Sequence, residues 1–186
     1  MNKMLLVLLI FLISFNMSHS EEANKSSVAN ESSTFTFSFD NPPTKIEIPE
    51  LPQVKMEVHP LSALKPHLRY MGSGSGYNLS VITSTADAGM TSQECAVSQS
   101  NAIIRRNNLQ EDQYKLFKAP DNHTFGLFYA LPFGEFEGYA QLGGHLFSAA
   151  EVTHCVEVHI SKITNSKEEI DSWYRGMPKA RITTRN

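Results

Sequence analysis

The sequence predicts an α+β fold, a largely antiparallel β-sheet with two amphipathic helices packed against it in a single domain. Strictly alternating runs such as Thr34-Phe35-Thr36-Phe37-Ser38-Phe39 place apolar side chains on one face of an extended strand. Two segments open with Thr or Ser followed three residues later by Glu, the capping-box signature of a helix start. Around them lie short β-type runs punctuated by Pro, Gly, Asn and Asp, with no internal repeat and no sign of a second domain.

Residues 1–20 read as a secretory signal peptide. Lys3 precedes an apolar run over residues 4–15, and Ser18-His19-Ser20 supplies small residues for cleavage after Ser20. The run falls short of the roughly 20 residues that a spanning helix needs, and no later stretch approaches that length. The expectation is an exported protein, periplasmic or extracellular, with no integral membrane segment after cleavage. The first cysteine is Cys95, so no lipid-attachment cysteine stands at the cleavage point. About 165 residues remain, enough for one domain with its own core. Residues 21–33, rich in Ser, Asn and Glu, read as a flexible leader, and residues 34–186 as the domain.

Residues 34–39 form the first strand, broken by Asn41-Pro42-Pro43. Residues 45–48 and 54–58 alternate too, and Pro49 and Pro52 predict edge strands or extended connections for them. Residues 60–70 read as irregular. Gly72-Ser73-Gly74-Ser75-Gly76 leads into a β-type run over 77–83 and not a helix, so it is a turn and not a phosphate loop. Thr91 and Glu94 box a helix start, with Met90 and Cys95 at the staple positions and Asn107-Asn108 as the stop.

Tyr114–Lys118 and residues 125–131 flank Pro120-Asp121-Asn122-His123, a turn by chemistry, and form a hairpin. Phe125, Leu127, Tyr129, Leu131 and Phe133 share one of its faces. Residues 138–150 are extended, with Gly143-Gly144 marking a turn or bulge. Residues 152–163 are the strongest strand. One face carries Val152, Val156, Val158 and Ile160; the other carries Thr153, Cys155, Glu157, His159 and Ser161. A second helix starts at Ser166 with Glu169 completing its box. Ile170, Trp173, Tyr174 and Met177 make a stripe that packs on the sheet, and Gly176 with Pro178 ends it. Residues 180–184 add a last short strand.

Composition narrows the function. A net charge of -3 gives no support to nucleic-acid binding, and Arg175, Lys179, Arg181 and Arg185 read as a solvated tail. Cys95 and Cys155 are the two cysteines, and in an oxidising compartment such a pair forms a disulfide. The segment from His154 to His159 suggests a site, but strand geometry weakens it. Neighbours on a strand point to opposite faces, and Cys155 and His159 lie about 13 Å apart along one face. Glu157 and His159 are about 6.6 Å apart and would converge on a metal only with a third ligand, for which His145 is the candidate. The default for them is an exposed polar sheet face. Glu135 and Glu137 read as a solvated strand face, and no Gly-x-Ser-x-Gly elbow is present. Asn24, Asn30, Asn78 and Asn122 stand in Asn-x-Ser/Thr sequons, with Asn122 at a turn tip.

The order of elements is similar to that of small exported α/β sandwich domains such as the PsbP-like group, a resemblance of architecture that carries no residue or activity across. Two function classes follow. The leading one is a non-catalytic exported binding module, stabilised by one disulfide, that contacts a protein or an envelope component through its exposed sheet face. No catalytic residue, cofactor or metal is expected in it. The alternative is a small exported enzyme or metal-binding protein centred on Cys155, Glu157 and His159, with His145.

Overall fold

Alternating apolar side chains need a second surface to bury against, and this chain supplies it by folding into two antiparallel sheets. The computed structural model describes residues 34–134, 136–150 and 153–184. The expected signal peptide, the leader and two of the four sequons (Asn24 and Asn30) lie outside the described residues. The smaller sheet has the order β1-β2-β10, from β1 (Thr34–Asp40), β2 (Pro43–Pro49) and β10 (Arg181–Thr184). The larger has seven strands in the order β3-β4-β5-β9-β8-β7-β6. They are β3 (Lys55–Val58), β4 (Leu68–Gly74), β5 (Tyr77–Thr85), β6 (Tyr114–Lys118), β7 (Phe125–Pro132), β8 (Ala140–Ala150) and β9 (His154–Thr164). Helix α1 (Ser92–Asn107) and helix α2 (Lys167–Gly176) complete the α+β fold, and neither is long and apolar enough to cross a membrane.

The main core lies between the sheets. Phe35 and Phe39 of β1, Ile46 and Ile48 of β2 and Ile182 of β10 meet Leu142, Leu146, Val156, Val158 and Ile160 of the larger sheet, all buried. Helix α2 and the 3-10 turn that follows it (Met177–Lys179) close this layer with Trp173 and Met177, and Ile170 and Tyr174 pack beside them. On the opposite face of the larger sheet, α1 presses Ala96 and Ile103 against Leu127, Tyr129 and Phe147. The result is a helix, a seven-stranded sheet, and a third layer of three strands with α2.

Several local expectations change in the folded chain. Strand β2 is central in its sheet, not an edge. Pro43 and Pro49 are its first and last residues, where the missing N–H leaves the ladder intact. Strand β8 runs unbroken through Gly143-Gly144, in register with both neighbours. Those glycines admit aromatic rings. A Cβ at Gly143 would sit 2.2 Å from the Tyr129 ring, and one at Gly144 2.8 Å from Trp173. The α1 capping box is complete, with Asn108 in the left-handed region as its stop. Only half of the box forms at α2. Ser166 caps the Glu169 N–H, but the Glu169 carboxylate turns to Lys162, at 2.8 Å, and to the Thr164 hydroxyl. Those two β9 groups outcompete the helix start, and Thr164 Oγ1 accepts the Ser166 N–H instead. The basic C-terminal run is not a free tail either. Arg181 belongs to β10, and Lys179 bonds Glu50 at 3.1 Å.

Candidate functional site

Strand alternation decides which side chains of β8 and β9 can meet. Residue pairs His145↔His159, Phe147↔Glu157 and Ala149↔Cys155 face one another across the two strands, on the face beneath α1. The His145 and His159 rings stack with centroids 4.5 Å apart, and His145 Nδ1 lies 2.8 Å from Glu157 Oε1. Tyr129 and Phe147 flank the His145 ring on its own face, with centroids at 6.0 and 6.2 Å. Three of the residues singled out from the sequence therefore come together. The expected exposed polar face does not exist here, because the His145 and Glu157 side chains are 4% and 14% exposed. Period-two alternation tells that a face is polar. It does not tell that a helix covers it.

Burial sets the electrostatics of this cluster. It pushes the His159 imidazole down to about 4, reinforced by His145 and Arg106 and opposed by Glu157. Burial also pushes the Tyr129 phenol up. With Glu157 facing His145 Nδ1, the other ring nitrogen, Nε2, is buried and has no hydrogen-bond partner among the described residues. That is the carboxylate–imidazole arrangement of an oriented base, but sealed from solvent. Among the described residues no group of three or more His, Cys, Asp or Glu is placed to hold a metal ion.

Cys155 has left this chemistry altogether. It forms a disulfide with Cys95 in the first turn of α1, with Cα atoms 5.9 Å apart and a sequence separation of 60. Met90 Sδ lies 3.8 Å from Cys155 Sγ, so the staple residue packs on the bond itself.

Two surface features were not read from the sequence. A cleft of about 570 Å³ opens at the N-terminus of α1, lined by Thr91, Ser92, Asp121, His123, Ala149 and Thr184 among others. Its polar groups are largely spent on the fold. Ser92 Oγ accepts the Ala149 N–H, and Thr184 Oγ1 donates to the Ala149 carbonyl. Burial raises the Asp121 carboxyl, but bonds from the Thr124 and His123 N–H groups and the Thr124 hydroxyl outweigh it and hold it low. No sequence signal marks this cleft, because its walls come from four distant segments.

The second feature is the loop joining β7 to β8. The sequence suggested a solvated strand face at Glu135 and Glu137; Glu135 lies outside the described residues, and Glu137 stands in a turn and not in a strand. Phe133 N–H bonds the Tyr139 carbonyl, and Phe136 and Tyr139 N–H groups bond the Phe133 and Phe136 carbonyls. Gly134 and Gly138 take positive φ values, which glycine adopts without strain. The Phe133 and Phe136 rings stack at 5.8 Å, and Phe136 is 67% exposed with Tyr139 at 44%. The local signal was available in the two glycines bracketing Phe136.

No protein-family model and no curated protein matches the chain. Among solved structures, it is similar to the solution structure of cyanobacterial PsbP (CyanoP) from Synechocystis sp. PCC 6803. The TM-score is 0.52 at 12% identity, covering 88% of this chain and 98% of that one. The likeness is one of fold. It places this chain's two helices and antiparallel sheets among α+β folds of that kind, and it assigns no residue a role.

Proposed function

We propose that this chain is an exported, non-catalytic interaction module that docks a protein or envelope component through the β7–β8 loop. The observation that carries the reading is Phe136, a large aromatic held in solvent on a loop whose own backbone bonds fix its shape. Rigid exposed aromatics supply contact area at low ordering cost, which is the character of binding hot spots. The buried His145 beneath the half-buried Glu157 and His159, and the bonded Cys155, support the same reading, since neither His145 nor Cys155 offers a reacting group to a substrate. Export rests on the signal-peptide pattern of residues 1–20, and material recovered outside the cytosol is expected to begin at Glu21.

A photoreactive phenylalanine analogue at Tyr139 tests the docking surface in secreting cells. The expected result is one specific adduct, displaced by excess wild-type protein and not by Phe136→Asp. Displacement by both proteins alike, or no adduct, would reject the loop. The enzyme reading keeps one supporting observation, the 2.8 Å Glu157–His145 contact with an Nε2 that has no partner among the described residues. It would replace the binding reading if turnover of any reporter substrate vanished in Glu157→Gln while folding stayed intact.

A further inference from the structure

Strand β3 ends the seven-stranded sheet, and among the described residues no strand pairs with its outer edge. The phase of that edge can be read from one hydrogen bond. His59 N–H donates to the Arg69 carbonyl at 2.9 Å, continuing the β3–β4 register in which Val58 faces Tyr70. In an antiparallel ladder, inward-bonding residues alternate with outward ones. Lys55 and Glu57 therefore bond inward to β4, and Met56 and Val58 present their N–H and C=O groups outward. Exposed apolar side chains lie on β3, on β4 and in the turn between them. Val58 is 65% exposed, Leu61 44%, Leu64 82% and Met71 39%. A groove of about 360 Å³ runs beside the strand between Lys55, Glu57, Val58 and Met71.

We infer that this edge binds a second copy of the chain, the two β3 strands pairing antiparallel about a two-fold axis at Met56. Charge selects that axis. With the axis at Met56, Lys55 of each copy lies directly opposite Glu57 of the other. At Glu57 it would set the two carboxylates face to face, which is destabilising for directly opposed like charges. At Val58 it would place Met56 against Pro60, which has no N–H to give. Within one chain Lys55 Nζ and Glu57 Oε1 already sit 2.8 Å apart on the same face, both well exposed, so both are free to redirect across the seam. The opposite edge lacks this self-complementarity. Strand β6 carries Lys115 and Lys118 with no carboxylate between them. Pro52 and Pro60 bracket the β3 seam and limit its length, as protected edges do. A two-fold pairing also consumes the edge in each copy, so assembly closes at a dimer.

The inference goes beyond the interaction reading and does not depend on it. Sedimentation of the mature, oxidised protein across micromolar concentrations tests it, with folding checked by circular dichroism. The wild-type chain should show a monomer–dimer equilibrium. Glu57→Lys should weaken it roughly 10-fold or more, by opposing lysines at both ends of the seam. Adding Lys55→Glu to that variant should restore it, because the charges are then exchanged and complementary again. Met56→Cys should yield a disulfide-linked dimer, since directly paired Cα atoms lie about 5.5 Å apart, within disulfide reach. A monomeric wild type at every concentration overturns the inference. So does an undiminished dimer in Glu57→Lys, or a folded double variant that stays as weak as the single one.

Discussion

The two faces of the seven-stranded sheet are made by the same strands and are held in opposite ways. The face toward β1-β2-β10 and α2 is apolar at its centre, with Leu142, Leu146, Val156, Val158 and Ile160 fully buried. The face under α1 carries a disulfide, a carboxylate and two imidazoles beside Leu127, Tyr129 and Phe147. The covering helices differ to match. Helix α2 brings a continuous stripe ending in Trp173 and Met177. Helix α1 buries only Cys95, Ala96, Ser100 and Ile103. A helix with so lean an apolar stripe gains little from burial alone, and the covalent bond at its first turn supplies what packing does not.

The largest effect should come from breaking the apolar face. Trp173→Ala removes the ring that stacks on Tyr77 and lies over Gly144, and should cost roughly 3–5 kcal/mol in chemical denaturation. Retention of wild-type stability would show that α2 is not a core element. Reducing Cys95–Cys155 should cost about 4 kcal/mol on the chain-entropy account of a loop this long. Its footprint is the sharper test. Amide exchange should quicken in α1 first and leave β1, β2 and β10 protected, whereas uniform loosening would argue against two separately held faces.

The smallest effect tests the polar cluster. Burial holds the His159 imidazole down at about 4 against an ordinary 6.5, with His145 and Arg106 reinforcing it and Glu157 opposing it. The unfolded chain takes up a proton between those values that the folded chain refuses. Stability from this group is therefore complete above pH 6.5, falls as the pH drops toward about 4, and loses no more below that. The full loss approaches about 3 kcal/mol. His159→Gln should flatten the pH dependence of the urea midpoint across that window relative to wild type. An unchanged slope would mean that His159 is protonated in the folded chain.

Local sequence determined much of this protein. The Thr91–Glu94 box, the Asn108 stop, the Phe35–Phe39 alternation and the turn at Asp121 all follow from side chains within a few residues of one another. The cysteine pair was legible as well, because a chain with two cysteines has one way to join them within itself. What sequence could not reach depends on contacts across the fold. Gly143-Gly144 reads as a break until Tyr129 and Trp173 are seen to need the space. Glu169 reads as a cap until Lys162 and Thr164 claim its carboxylate. Glu157 and His159 read as solvated until α1 covers them, and only pairing β8 with β9 brings His145 to their side. Strand period fixes which face a residue points to. Which surface comes to lie on that face is decided by the long-range packing of elements far apart in the chain, and no local pattern encodes it.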